Sequence, residues 1–141
     1  MIRNLRADET NKVMEIWKES TIEAHRFIHE DYWLKNYSIV KQNLIPTATT
    51  YVYDDNKTIK GVVSILNNLY IGAIFVDLKY QKQGIGTDLI NYLKDHYNKL
   101  KVTLYKDNNS VEFYKKLNFI IEKEQLNEET NKVELIMSWK K

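Results

Sequence analysis

At 141 residues and 43% hydrophobic content the chain has one domain's length, is too apolar for a disordered tail, and can bury roughly two-thirds of its unfolded surface. Its formal net charge of +2 is too small to argue for nucleic acid, and with no Cys it lacks disulfides, thiolate metal sites and a cysteine nucleophile. No apolar run approaches the ~18 residues of a membrane span and no signal-peptide pattern opens the chain, so a soluble cytoplasmic protein without membrane contact is expected. Met1 to Arg6 alternates weakly, as a first strand. Asp8 is placed to cap a helix whose apolar face is Val13, Met14, Ile16 and Trp17, fraying near Thr21 to Ala24. His25 to Trp33 is a polar-aromatic stretch between two helices. Trp33, Tyr37, Val40 and Leu44 then mark a second helix, ended by Pro46.

Strands follow at Thr50 to Tyr53, Ile59 to Leu66 and from Tyr70, with turns at Asp54 to Lys57 and Asn67-Asn68, as in an antiparallel meander. Tyr70 to Val76 is apolar or aromatic apart from Gly72, the pattern of a buried strand. Beyond Gly86, Leu89, Ile90, Leu93, Tyr97 and Leu100 read as one face of a helix. Gly84 and Gly86 therefore lie at a strand-loop-helix junction, where unpaired N–H groups and the helix dipole suit phosphate or pyrophosphate. A Walker A loop would need Lys-Ser/Thr after its second Gly, where Thr87-Asp88 stands, and a dinucleotide fingerprint would need Gly at Leu89. Lys101 to Tyr105 is a strand reached by a helical crossover, hence parallel to the Tyr70 strand. Asp107 caps a short helix through Val111, Tyr114 and Leu117. Phe119 to Leu126 and Val133 to Trp139 close the chain as a hairpin, with Val133, Leu135, Met137 and Trp139 on one buried face.

Gln81-Lys82-Gln83-Gly84-Ile85-Gly86 resembles the Q/R-x-x-G-x-G/A pyrophosphate loop of the GNAT superfamily of acyl-CoA-dependent N-acetyltransferases, with Phe75-Val76-Asp77 before it and an apolar helix after. A second family pattern, aromatic-Tyr-x-x-x-Gly-Phe, stands here as Phe113 to Phe119 with Asn118 in place of Gly, a residue that tolerates a left-handed helix end. The order β-α-α-β-β-β-α-β-α-β-β extends the resemblance over nearly the whole chain. It implies a single domain (residues 1–141) of α/β (α+β) class, a mixed sheet of about seven strands with four helices and a notch between splayed strands. It also implies that main-chain groups of Ile74, Phe75 and Val76 bind the pantetheine arm of acetyl-CoA. The N–H groups of Gln81, Lys82, Gln83, Gly84, Ile85, Gly86 and Thr87 would surround its pyrophosphate.

The same resemblance puts Tyr114 at the cofactor sulfur as general acid. Many members carry Asn where Asp107 stands; a carboxylate cannot donate as an amide does, and the adjacent Asn108 is the substitute. Acyl transfer to an amine also needs donors for the oxyanion, among them the Val76 N–H, and a base. Glu23, His25, His29 and Glu30 are candidates for the base; similar His-x-Phe-hydrophobic segments in bacterial members favour His25. No metal is implied, His25 and His29 being merely four apart. The expected activity is direct transfer of acetyl from acetyl-CoA to a primary amine, of a protein or peptide lysine or of a small molecule, by a monomer or homodimer. Two rivals stand beside it: a non-catalytic acyl-CoA-binding sensor, and a toxin-like enzyme acting on aminoacyl-tRNA, to which a charge of +2 gives little support.

Overall fold

The computed structural model describes all residues, Met1 to Lys141. Its elements are β1 (Ile2–Asn4), α1 (Thr10–Ala24), α2 (Glu30–Ile39, continued by a π turn Val40–Leu44 and a last turn Ile45–Thr47), β2 (Thr49–Asp55), β3 (Thr58–Leu66), β4 (Tyr70–Val76), α3 (Ile85–His96), β5 (Lys99–Tyr105), α4 (Ser110–Lys116), β6 (Ile120–Asn127) and β7 (Lys132–Lys140). The seven strands form one mixed sheet in the order β1-β2-β3-β4-β5-β7-β6. Only β4 and β5 run parallel, as the crossover through α3 requires. The hairpin turns come from residues that accept a left-handed backbone: Asn56 and Lys57 between β2 and β3, Asn67 and Asn68 between β3 and β4.

Each face of the sheet has its own core. On one, α3 and α4 bury Leu89, Ile90, Leu93, Val111 and Tyr114 against Tyr51, Val63, Leu100, Val102, Leu135 and Met137. On the other, Val13, Met14, Ile16 and Trp17 of α1 pack with Ile45 against Val52, Ile59, Val62 and Phe75. The α3 face is tight where helix meets sheet: a Cβ on Gly61 of β3 would lie 2.8 Å from Ile85 Cγ2. Gly61 thus lets the helix that follows the glycine loop settle directly on the sheet.

Several local expectations are corrected. Asp8 does not cap α1; Glu9 accepts the Arg6 N–H at 2.8 Å and a fork from Arg3 at 2.9 and 2.7 Å. The helix does not fray at Thr21 but runs to Ala24, and α2 starts at Glu30, so Glu30, Asp31 and Tyr32 are helical along with the expected Trp33. Pro46 does not end α2, which continues to Thr47; the π turn before it relieves the clash a proline ring makes with the carbonyl four residues back. Leu100 belongs to β5. Asn108, not Asp107, accepts the Ser110 N–H at the start of α4 (2.8 Å). In β7 only Leu135 and Met137 of the alternating set are fully buried; Trp139 is partly buried, and Val133, paired with Leu126 of the edge strand β6, is exposed. Asn118 takes the left-handed turn expected at the end of α4, φ 69°.

Candidate active site

β4 and β5 pair only at Tyr70 with Lys101 and Ile71 with Val102, then part. The gap opens into a cleft of about 770 Å³, with the glycine loop at one end and the residues after α1 at the other. Of the sequence-predicted site residues, all line it except Gln83, exposed on the loop, and the candidate bases His29 and Glu30.

The loop end is built of main chain. None of the N–H groups from Gln81 to Thr87 bonds to a backbone carbonyl, and the first pairing of α3 is Asp88 N–H to Gly84 O at 3.0 Å. Lys82 (φ 64°) and Gly84 (φ 83°) are both left-handed, which turns successive N–H groups into a concave nest for an anion. A Cβ on Gly84 would meet nothing within 4 Å, whereas one on Gly86 would lie 3.4 Å from the Phe113 ring. Gly84 therefore keeps the cradle open, and Gly86 lets α3 sit beside α4. The Gln81 side chain donates to the Val76 carbonyl at 3.1 Å, tying loop to strand.

Along β4 the alternation of an antiparallel ladder separates the three predicted residues. Asp77 N–H bonds to Lys60 O at 2.9 Å, so Phe75, opposite Val62, also turns its main-chain groups toward β3. Ile74 and Val76 turn theirs toward the gap. This corrects the expectation for Phe75, whose main chain is committed to the sheet and whose side chain is core.

Tyr114 enters the same gap from α4. It is 2% exposed, and its hydroxyl has no hydrogen-bond partner in the protein. Burial pushes its pKa well above the ordinary phenol value, so it is a neutral donor at physiological pH. An orphaned buried hydroxyl costs about 1–3 kcal/mol.

His25 and Asn108, 83 residues apart in sequence, meet across the cleft: Asn108 Nδ2 lies 2.9 Å from His25 Nε2. His25 Nδ1 lies 2.8 Å from the Thr21 carbonyl, which can only accept, so Nδ1 carries the proton and Nε2 receives one from Asn108. Burial among Phe27, Trp33 and Tyr105, whose ring centroids lie 5.8, 4.7 and 5.8 Å away, lowers the His25 pKa below its usual value. Both ring nitrogens are engaged, so in this arrangement His25 has no free lone pair for the base's role. Glu23 pairs with Arg26, and His29 and Glu30 are exposed, outside the cleft lining.

Residues 19–137 match the family described as "Acetyltransferase (GNAT) domain". The chain belongs to the GNAT acetyltransferases. Over 140 residues it is 31% identical to the peptidyl-lysine N-acetyltransferase YiaC of Escherichia coli K12, covering 99% of this chain and 96% of that one. The solution structure of apo YjaB from Escherichia coli shares the fold with a TM-score of 0.85 at 21% identity, covering 99% and 96% of the two chains. The PaiA N-acetyltransferase of Thermoplasma acidophilum, solved with coenzyme A, does so with a TM-score of 0.77 at 18% identity, covering 100% and 98%.

Three lining residues of this GNAT domain went unnoticed in the sequence. Trp33 and Tyr105 wall the far end of the cleft, and Tyr105, pushed up to about 12 by burial, stays un-ionised. Glu134 of β7 stands opposite Tyr105 in the β5–β7 register. Its carboxylate accepts from Gln125 and Asn127 at 3.1 and 3.2 Å and has no cationic partner. Register across two strands is what brings Glu134 here, and no local pattern in the sequence carries that signal.

Proposed function

We propose that this GNAT domain moves the acetyl group of acetyl-CoA to the ε-amine of a lysine side chain in a protein or peptide. The observation that carries the reading is the buried, unpartnered Tyr114 hydroxyl, set in a gap between parted strands whose far mouth holds an unpaired carboxylate. When bound, acetyl-CoA supplies the thioester. The residues fit it: the nest from Gln81 to Thr87 for the pyrophosphate, with Lys82 as a mobile point charge, the free main-chain edge of Ile74 and Val76 for the pantetheine arm in the manner of an added strand, and Tyr114 for the sulfur. The lysine relative favours a lysine acceptor. Glu134 supports the same reading, because a carboxylate without a cation attracts an ammonium.

In the reaction the new C–N bond forms as the C–S bond breaks. The ammonium drawn in by Glu134 loses one proton to water before attack, since only the neutral amine has a lone pair. The Val76 N–H, turned into the gap, donates to the carbonyl oxygen as negative charge gathers there. Tyr114 gives its proton to the departing thiolate and regains one, through water, as the attacking nitrogen sheds its second proton to become the amide. Burial raises the phenol above its reference of about 10, against about 8.5 for a thiol, so the transfer is coupled to the breaking of the C–S bond. The decisive assay follows free CoA release with lysine peptides, polyamines and aminoglycosides as acceptors. Turnover should be greatest with lysine peptides. Preference for a polyamine or an aminoglycoside would overturn the acceptor class, and no turnover with any amine would overturn the reaction.

A further inference from the structure

We propose that His25 is a positioning residue: as a neutral imidazole it clamps Asn108, and through Asn108 the start of the helix carrying Tyr114. The bonds form one chain. The Thr21 carbonyl of α1 accepts from His25 Nδ1 at 2.8 Å, and His25 Nε2 accepts from Asn108 Nδ2 at 2.9 Å. Asn108 Oδ1 accepts from the Ser110 N–H at 2.8 Å, and four residues later α4 delivers Tyr114 to the gap. This chain crosses where the sheet does not, since β4 and β5 make no pairing beyond Ile71 and Val102. The end of α1 is thereby fastened to the beginning of α4. Asn108 lines the cleft and its Nδ2 makes no bond besides that to His25, so one N–H is left free there and the clamp fixes the amide that carries it.

The clamp has a pH limit with a definite sign. Asn108 can donate only to an unprotonated Nε2, so protonating His25 sets two donors against each other. The groups around the ring do not rescue the charged form: it makes no ion pair, Glu23 on its own helix is held by Arg26, and the Tyr105 phenol from β5 is un-ionised. Glu134 from β7 lines the cleft, engaged by two amides. Burial holds the folded-state pKa below the unfolded value of 6.5. The unfolded chain therefore binds more protons below that pH, and the clamp's contribution to stability is full above it and lost as pH falls through the folded pKa.

Three variants test this: His25→Ala, His25→Gln and Asn108→Asp. Gln presents a carbonyl oxygen near the place of Nε2 and cannot titrate. It should keep kcat within about twofold of the wild type, whereas His25→Ala should lose about tenfold, the scale of one hydrogen bond. His25→Gln should also abolish the acidic limb of the pH–rate profile and the fall in melting temperature below pH 6.5. Asn108→Asp still accepts from Ser110 but confronts Nε2 with a carboxylate, so it should raise the His25 pKa. The charged imidazole then donates to that carboxylate, and both the acidic limb of the rate and the fall in melting temperature should vanish or reverse. Imidazole 15N shifts should show the Nδ1–H tautomer in the wild type. The kinetic arms rest on the acetyl transfer proposed above; the tautomer and the melts do not, so an inactive wild type would refute that transfer and leave the clamp to be judged on these two. A folded His25→Gln as slow as His25→Ala would make His25 the proton acceptor and overturn the clamp. So would full activity in His25→Ala, an Nε2–H tautomer, or melts that Asn108→Asp leaves unaltered.

Discussion

At the loop end of the cleft the protein offers main chain: seven N–H groups without backbone partners around Gly84, and the free edge of Ile74 and Val76. At the other end it offers side chains drawn from four elements: His25 after α1, Trp33 of α2, Tyr105 of β5 and Glu134 of β7. The contrast separates what is common to a family from what belongs to one member. A pyrophosphate and a pantetheine arm can be held by backbone, whose chemistry no substitution changes, provided that glycine keeps the approach open. An acceptor must be told from other amines by charge and shape, which only side chains supply.

Loss of the loop end should have the largest effect. Gly84→Val would force a β-branched residue to φ 83° and fill the open cradle, so acetyl-CoA affinity should fall about a hundredfold or more by calorimetry. Gly86→Ala, whose Cβ would touch Phe113 at 3.4 Å, should cost far less. Equal losses in the two would refute the distinction drawn between them.

Tyr114→Phe comes next. Turnover should drop roughly 10²-fold, the scale for removing a positioned acid. Its melting temperature should hold or rise, because the deleted hydroxyl has no partner, a gain of up to about 1 kcal/mol. Near-normal turnover in the folded variant would leave the thiolate to be protonated by solvent.

Glu134→Gln removes the charge and keeps one of the two amide contacts, since its single oxygen can accept while its NH2 cannot. KM for a lysine peptide should rise several-fold, about the magnitude of a partly exposed ion pair, with kcat and acetyl-CoA affinity unchanged and the difference shrinking in salt. A change in acetyl-CoA affinity would mean that Glu134 serves the other end. Smallest of all should be Lys82→Ala: a loss of about twofold in acetyl-CoA affinity at low salt that vanishes at high salt, since this lysine is exposed on the loop.

The same contrast explains what could be read in advance. The order of elements, the parallel crossover and the loop from Gln81 to Thr87 follow from local periodicity and from glycines whose meaning is local. Tyr114 was legible because a motif fixed its helix. Phe75 was misassigned because which residues of a strand face an open edge depends on hydrogen-bond register with β3, which the sequence does not display. His25 and Asn108 were each found, but their bond spans 83 residues and gives both a different task. Glu134 was invisible for the same reason: its neighbours Tyr105 and Asn127 are assembled by the β5–β7–β6 ladder. Cap assignments failed by one residue: at Asp107 the adjacent Asn108 takes the Ser110 N–H, and at Asp8 the helix begins after Glu9, whose carboxylate turns back to the Arg6 N–H.

The two-rung joint between β4 and β5 also has a mechanical meaning. It divides the sheet into a four-strand panel, β1 to β4, and a three-strand panel, β5 to β6, with a seam that lacks most of the bonds an unbroken sheet would have. Twist between the panels is therefore soft about that seam, while each panel is stiff in itself. A molecule lying in the gap and bonding to the β4 edge acts as a splint. Hydrogen exchange should slow at Ile74 and Val76 when acetyl-CoA is added, and hardly at all in the paired interior of β3.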